Sequence, residues 1–114
     1  MKLPLTFAEY QSQAATTAVY PEVGTGSLLE VMYCARGLAG EAGEVANKVK
    51  KLQRDGDSLE KRKALAKELS DCLWYAAQLA SVLDEDLGEL AQNNLDNLAG
   101  RKQRGTLHGD GDNR

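Results

Sequence analysis

The chain has little aromatic, histidine or cysteine chemistry to work with. Aromatic residues make up 5% of its 114 residues, so a core has to come from alanine and leucine, which favour helix. The two cysteines, Cys34 and Cys72, sit inside helical patterns without C-x-x-C spacing. That excludes a zinc knuckle or a disulfide framework and fits reduced thiols in a cytoplasm. The single histidine, His108, lies in a glycine-rich stretch, which rules out a histidine-built metal centre and leaves His108 no role. No run approaches the ~20 apolar residues of a membrane span, and Met1-Lys2-Leu3-Pro4-Leu5 has no long apolar leader core. A soluble, unexported, cytoplasmic protein with no membrane partner is expected. Net charge is −3, with only local basic clusters at Lys48, Lys50, Lys51 and from Arg101 to Arg104, so stable nucleic-acid binding is not expected.

What the chain does have is helical periodicity. Thr6 and Glu9 have capping-box spacing and open a short helix to about Thr17, which Tyr20-Pro21 and Gly24-Thr25-Gly26 break. Ser27 and Glu30 repeat the signature. Leu28, Val31, Ala35, Leu38, Ala42, Val45, Val49 and Leu52 then alternate steps of three and four, the pattern of one long helix. Asp55-Gly56-Asp57-Ser58 ends it, and Ser58 caps a third helix with a seam of Leu65, Leu69, Cys72, Ala76, Leu79 and Leu83. A fourth helix starts near Asp84 or Asp86, carries Leu87, Leu90, Ala91, Asn94, Leu95 and Leu98, and is expected to fray at Gly100. The expected fold is all-α: an antiparallel helix hairpin core with flanking helices, one domain over residues 1–104, and a polar, glycine-rich tail over 105–114. A hairpin this small leaves apolar surface uncovered, so self-association to at least a dimer is expected.

The two long helices each carry an acidic pair three residues apart, Glu41 with Glu44 and Glu68 with Asp71. At that spacing both carboxylates rise from one helix face. With Leu38 at heptad position d, Glu41 falls at g and Glu44 at c; with Leu69 at a, Glu68 falls at g and Asp71 at c. One such pair is ordinary on a wetted helix, but two in matching register flank the same seam and would converge across the hairpin. Four converging carboxylates repel one another unless a cation sits among them, and hard divalent ions prefer oxygen ligands. The same register puts Lys48 at g, Lys51 at c and Tyr75 at g. Lys48 and Lys51 are thus candidates to contact an anionic ligand, although Glu44 with Lys48 is also a simple i,i+4 pair. Gly37, Gly40 and Gly43 each cost ~1 kcal/mol relative to alanine in a helix, which calls for close approach of another helix or of a ligand. Trp74 falls at f, where an oligomer contact is expected.

The run Gly37-Leu38-Ala39-Gly40-Glu41-Ala42-Gly43-Glu44-Val45, followed by Glu68-Leu69-Ser70-Asp71-Cys72-Leu73-Trp74-Tyr75, resembles the MazG-like branch of the all-α nucleoside triphosphate pyrophosphohydrolases. That signature is E-x-x-E, a variable spacer, then E-x-x-D; here 23 residues separate Glu44 from Glu68. Phe7 to Gln11, Tyr20-Pro21, Asn94 to Arg101 and Arg104-Gly105 agree with it as well. The resemblance implies Glu41, Glu44, Glu68 and Asp71 as ligands of Mg²⁺, with Mn²⁺ as a substitute. It also implies hydrolysis of a (deoxy)nucleoside triphosphate between the α- and β-phosphates to a monophosphate and pyrophosphate, in housecleaning of the nucleotide pool. Either Glu41 or Glu44 would take the proton of the attacking water. Tyr75 resembles the position that contacts sugar or base, Asn94 a polar contact near the C-terminus, and Arg101, Lys102 and Arg104 could close over phosphates. Relatives are dimers or tetramers packed as four-helix bundles. Two departures stand out: Gly40 replaces a Glu that many relatives carry, and Asn97 replaces a Lys. The alternative reading is a noncatalytic helical oligomerisation module with a cation-binding acidic face. A di-iron protein lacks its Glu-x-x-His motifs here.

Overall fold

Residues 4–108 are described in the computed structural model, and among them the chain forms four α-helices and no strand. They are α1 (Phe7–Ala15), α2 (Leu28–Asp55), α3 (Leu59–Val82) and α4 (Leu87–Arg104). Side chains cap every start. The Thr6 hydroxyl accepts from the Glu9 amide at 3.0 Å while Glu9 accepts from the Thr6 amide at 3.2 Å, a full capping box. Ser58 accepts from the Lys61 amide at 3.1 Å, and Asp86 from the Glu89 amide at 2.9 Å. At α2 only half the expected box forms. The Glu30 amide donates to Ser27 at 3.3 Å, but the Glu30 carboxylate turns inward to another task. The expectation that α4 frays at Gly100 is corrected. One interior glycine costs too little to stop a helix, and the helix runs on to Gly105, which takes the left-handed conformation at φ 74°. There the Gly105 and Thr106 amides donate to the Lys102 and Arg101 carbonyls at 3.2 and 2.8 Å, a Schellman ending. The rest of the expected tail, 109–114, lies outside the described residues.

Gly56, at φ 97°, turns the chain between α2 and α3, and Gly37 faces Tyr75 across the pair as Glu41 faces Asp71. Rising numbers on one helix meet falling numbers on the other, so the hairpin is antiparallel. α1 lies across α3 and α4, pinned by Gln11. Its amide nitrogen donates to Ser81 Oγ at 3.0 Å and to the Glu85 carbonyl at 2.9 Å, and its carbonyl oxygen accepts from the Leu87 amide at 2.8 Å. α4 packs on α1 and α3 and makes no backbone approach to α2.

The buried core is small: Ala14, Tyr20, Cys34, Ala77 and Ala80, with Glu30 and Gln78 as buried polar members. The line that α2 turns toward α3 is Cys34, Gly37, Glu41, Val45, Lys48 and Leu52, all buried or half-buried. Leu28, Ala35, Ala42 and Val49 of the expected seam are exposed. Because Gly37 admits Tyr75, α2 is rotated so that the acidic line meets α3 and one apolar edge is left bare. α3 likewise exposes Leu69 and Leu73. The radius of gyration is 16.8 Å, against about 13 Å for a compact domain of this length. No helix among the described residues is long and apolar enough to cross a membrane.

Candidate metal centre

Glu41 on α2 and Glu68 and Asp71 on α3 converge. Each offers a carboxylate oxygen, and all three oxygens lie within 4.8 Å of one another. The three side chains are half-buried in the helix interface, and among the described residues none has an ion-pair partner. Partial burial, then the Asp71 and Glu68 charges, then Glu44 hold the Glu41 carboxyl above its usual range. The donor set therefore fits a divalent cation: it is all oxygen, mutually repelling, and gathered without a protein cation to neutralise it. Glu44, expected as a fourth member, stands apart. It is exposed and outside the trio, close enough to raise Glu41 by its charge, because the 100° step per residue carries it off the contact line that Glu41 occupies.

One turn toward the N-terminus of α2 and the C-terminus of α3, the acids give way to an aromatic cleft of about 640 Å³ whose walls include Leu29, Met32, Tyr33, Arg36 and Tyr75. Gly37 makes this possible, since a Cβ there would clash with the Tyr75 ring. Gly40 and Gly43 have open space beside them, so only one of the three helical glycines answers to a close approach within the chain. The Tyr75 phenol is raised above its ordinary range by burial first, then by the Tyr33 phenol and the Glu41 charge. The cleft and the acids are thus electrically in touch.

Behind the cleft sits a buried network. Glu30, 3% exposed, accepts from the Tyr20 hydroxyl at 2.7 Å, the Gly24 amide at 3.0 Å and the Gly26 amide at 2.9 Å. Gln78 donates to the Tyr20 oxygen at 3.1 Å, and the Tyr20 ring stacks on Tyr33 at 4.7 Å. The 20–26 loop is therefore tied to the cleft wall. Sequence reasoning gave Tyr20 and Glu30 only the roles of a helix breaker, a family match and a capping partner, and passed over Tyr33 and Arg36. It also passed over Tyr10, which lies near enough to Asp71 to feel its charge.

Other expected site residues distribute unevenly. Lys48 is half-buried on the α3-facing line, about 10 Å along the axis from Glu41 at 1.5 Å per residue. Lys51 is exposed. Asn94, Arg101 and Arg104 lie on α4, which packs on α1 and α3 and makes no backbone approach to α2, the helix of Glu41. Trp74, expected at an oligomer contact, is engaged within the chain. Its indole donates to Thr17 Oγ1 at 3.0 Å, and its ring meets Tyr20 and Tyr75 edge-on.

Residues 31–105, which contain the whole acidic trio, match the MazG nucleotide pyrophosphohydrolase domain. The chain belongs to the MazG family. Over 109 residues it is 50% identical to the "Gene 37 protein" of Mycobacterium phage L5, covering 92% of this chain and 96% of that one. No solved structure matches it significantly. The MazG match begins after the 20–26 loop and Glu30.

Proposed function

We propose that this MazG-family chain is a Mg²⁺-dependent nucleoside triphosphate pyrophosphohydrolase that cleaves between the α- and β-phosphates, releasing a nucleoside monophosphate and pyrophosphate. The observation that carries the reading is the trio Glu41, Glu68 and Asp71, gathered from two antiparallel helices beside an aromatic cleft. Mg²⁺, or Mn²⁺ in its place, supplies the positive charge that lets a polyphosphate approach carboxylates and that acidifies the attacking water. Glu41, Glu68 and Asp71 hold the ion. Glu41 or Glu44 would take the proton of the attacking water, Glu44 being the carboxylate outside the trio. Tyr75 and Tyr33 take the sugar and base on one side of the acids. Lys48, on the other side, meets the departing pyrophosphate, and Lys51 contributes only long-range charge.

The same reading includes a homo-oligomer, a dimer or tetramer built as a four-helix bundle. An open apolar groove of about 620 Å³, lined among others by Phe7, Leu38, Leu69, Leu73 and Ala76, leaves the hairpin half-covered, and a second copy is its natural cover. Asn94, Arg101 and Arg104 could meet the acidic trio from such a copy. The free thiols Cys34 and Cys72 accord with a cytoplasmic setting. Hydrolysis of a nucleoside triphosphate panel, with pyrophosphate and orthophosphate measured separately, tests the proposal. Pyrophosphate release that needs Mg²⁺ and falls at least ~100-fold in Glu44→Gln is expected, in line with loss of general acid–base help. Orthophosphate as the product, or an unaffected variant, defeats it.

A further inference from the structure

The cleft beside the acids has the size of a small-molecule site, a class that spans ~300–1,000 Å³, and its flat walls at Tyr33 and Tyr75 suit a planar ring. Two charged side chains line it, Glu22 and Arg36. They have opposite sign. Among the described residues neither makes a side-chain hydrogen bond or ion pair, with the other or with anything else, so one acceptor group and one donor group border the same cleft unengaged.

Glu22 is also held in place at a cost. Its backbone sits at φ 68°, a region that non-glycine residues enter rarely and at a penalty on the order of 1 kcal/mol. The strain is locked from both sides. Thr25 donates its amide at 3.2 Å and its hydroxyl at 2.8 Å to the Glu22 carbonyl, and the buried Glu30 carboxylate clamps Tyr20 and Gly24 on either flank. A strained loop residue anchored by a buried carboxylate and facing a ligand-sized cleft is built for position.

An ionised carboxylate only accepts, through two oxygens, and a guanidinium only donates, in a fork. Guanine is the common base that offers a carboxylate two adjacent donors, N1–H and the N2 amino group. Its O6 and N7 take an arginine fork, the commonest specific arginine contact with a base. Adenine and cytosine set a ring-nitrogen acceptor beside their one amino group. Thymine and uracil flank their one N–H with carbonyls. Against each of these, one carboxylate oxygen would meet an acceptor. We propose that the cleft is a guanine subsite, with Glu22 reading N1–H and N2–H and Arg36 reading O6 and N7. This rests on the pyrophosphohydrolase reading and gives it a preferred substrate, dGTP or GTP.

The test compares kcat/KM for pyrophosphate release from dGTP, dATP, dCTP, dTTP and dITP, the last differing from dGTP only in lacking the N2 amino group. Expected are the highest value for dGTP and a loss of at least tenfold for dITP, the usual consequence of leaving a site's polar group unmatched. Glu22→Gln is expected to collapse the dGTP/dITP ratio toward one, and Arg36→Gln to lower both guanine and hypoxanthine substrates. Equal values across the bases, or a dGTP/dITP ratio that Glu22→Gln leaves unchanged, overturns the guanine assignment and leaves the reaction standing. If no triphosphate releases pyrophosphate, the catalytic reading fails instead. Calorimetric binding of dGMP against dIMP then decides the subsite, with tighter dGMP binding supporting it and equal binding refuting it.

Discussion

Replacing Glu30 by glutamine isolates the device that holds the cleft wall. The carboxylate accepts three hydrogen bonds, from Tyr20 and from the Gly24 and Gly26 amides, and hydrogen bonds to a charged group are worth ~1.5–3 kcal/mol each. Glutamine keeps one oxygen and turns an NH₂ toward a backbone donor, so at least one bond is lost and one buried donor faces another. Against this, a neutral amide is cheaper to bury than an ion. Burial is the largest single influence on Glu30 and pushes its carboxyl up, yet the bonds from Tyr20, Gly24 and Gly26 together pull it below the usual value of 4.5; the bonds win. The net cost of Glu30→Gln is therefore about 2–3 kcal/mol. At about 4 °C per kcal/mol for a chain of this size, the melting temperature at pH 7 drops by roughly 8–12 °C.

The sign of the pH effect follows from the same balance. A carboxyl whose folded value is depressed stabilises the fold above its unfolded value and loses that stabilisation as pH falls through the folded one. Wild type should therefore lose stability below pH 4.5 and the variant should lack that component. Thermal melts by circular dichroism across pH 3–7 read both numbers. A variant that melts within about 2 °C of wild type at pH 7, with the same acid limb, refutes the network.

Asp71→Asn should abolish Mg²⁺-dependent activity and weaken Mg²⁺ binding measured by calorimetry at least tenfold, with the α-helical spectrum intact. Because partial burial, and then the charges of its acidic neighbours, raise the Glu41 carboxyl above 4.5, the folded state holds that proton longer than the unfolded one. Protein in chelator should thus lose stability as pH rises above that value, Mg²⁺ should reverse the loss, and Asp71→Asn should blunt it; a melt series with and without Mg²⁺ checks the sign. Gly37→Ala drives a Cβ into the Tyr75 ring and should raise KM several-fold with Mg²⁺ affinity kept. Gly40→Ala, with open space around it, should be neutral or gain up to ~1 kcal/mol in thermal melts. Light scattering of the wild type should give a dimer or tetramer, and Leu69→Glu should shift it toward monomer; a wild-type monomer at micromolar concentration counts against the assembly.

Much of this site was legible from spacing alone, and the parts that were not share a cause. Helix period, capping pairs and the Asp-Gly-Asp turn are local signals, and from them Glu41, Glu44, Glu68 and Asp71 were expected to converge, of which the structure gathers Glu41, Glu68 and Asp71. Heptad letters describe a helix that meets one ideal seam. α2 instead rotated to admit Tyr75 at Gly37, which exposed Leu28 and Val49 and left Glu44 off the contact line. Trp74 found Thr17, a partner 57 positions away, which no window of sequence can see. Gly24 and Gly26 were legible as breakers, at φ 81° and 65°, but the acceptor of their amides was not. Two convergent glycine amides form the kind of nest that binds phosphate in other folds. Here the protein's own Glu30 fills it. On the proposed reading a triphosphate could not use this glycine loop as its cradle, and its negative charge would have to be met on the other side of the cleft, by a cation on Glu41, Glu68 and Asp71. The loop that reads on sequence only as a helix breaker is, in the fold, a nest closed by Glu30.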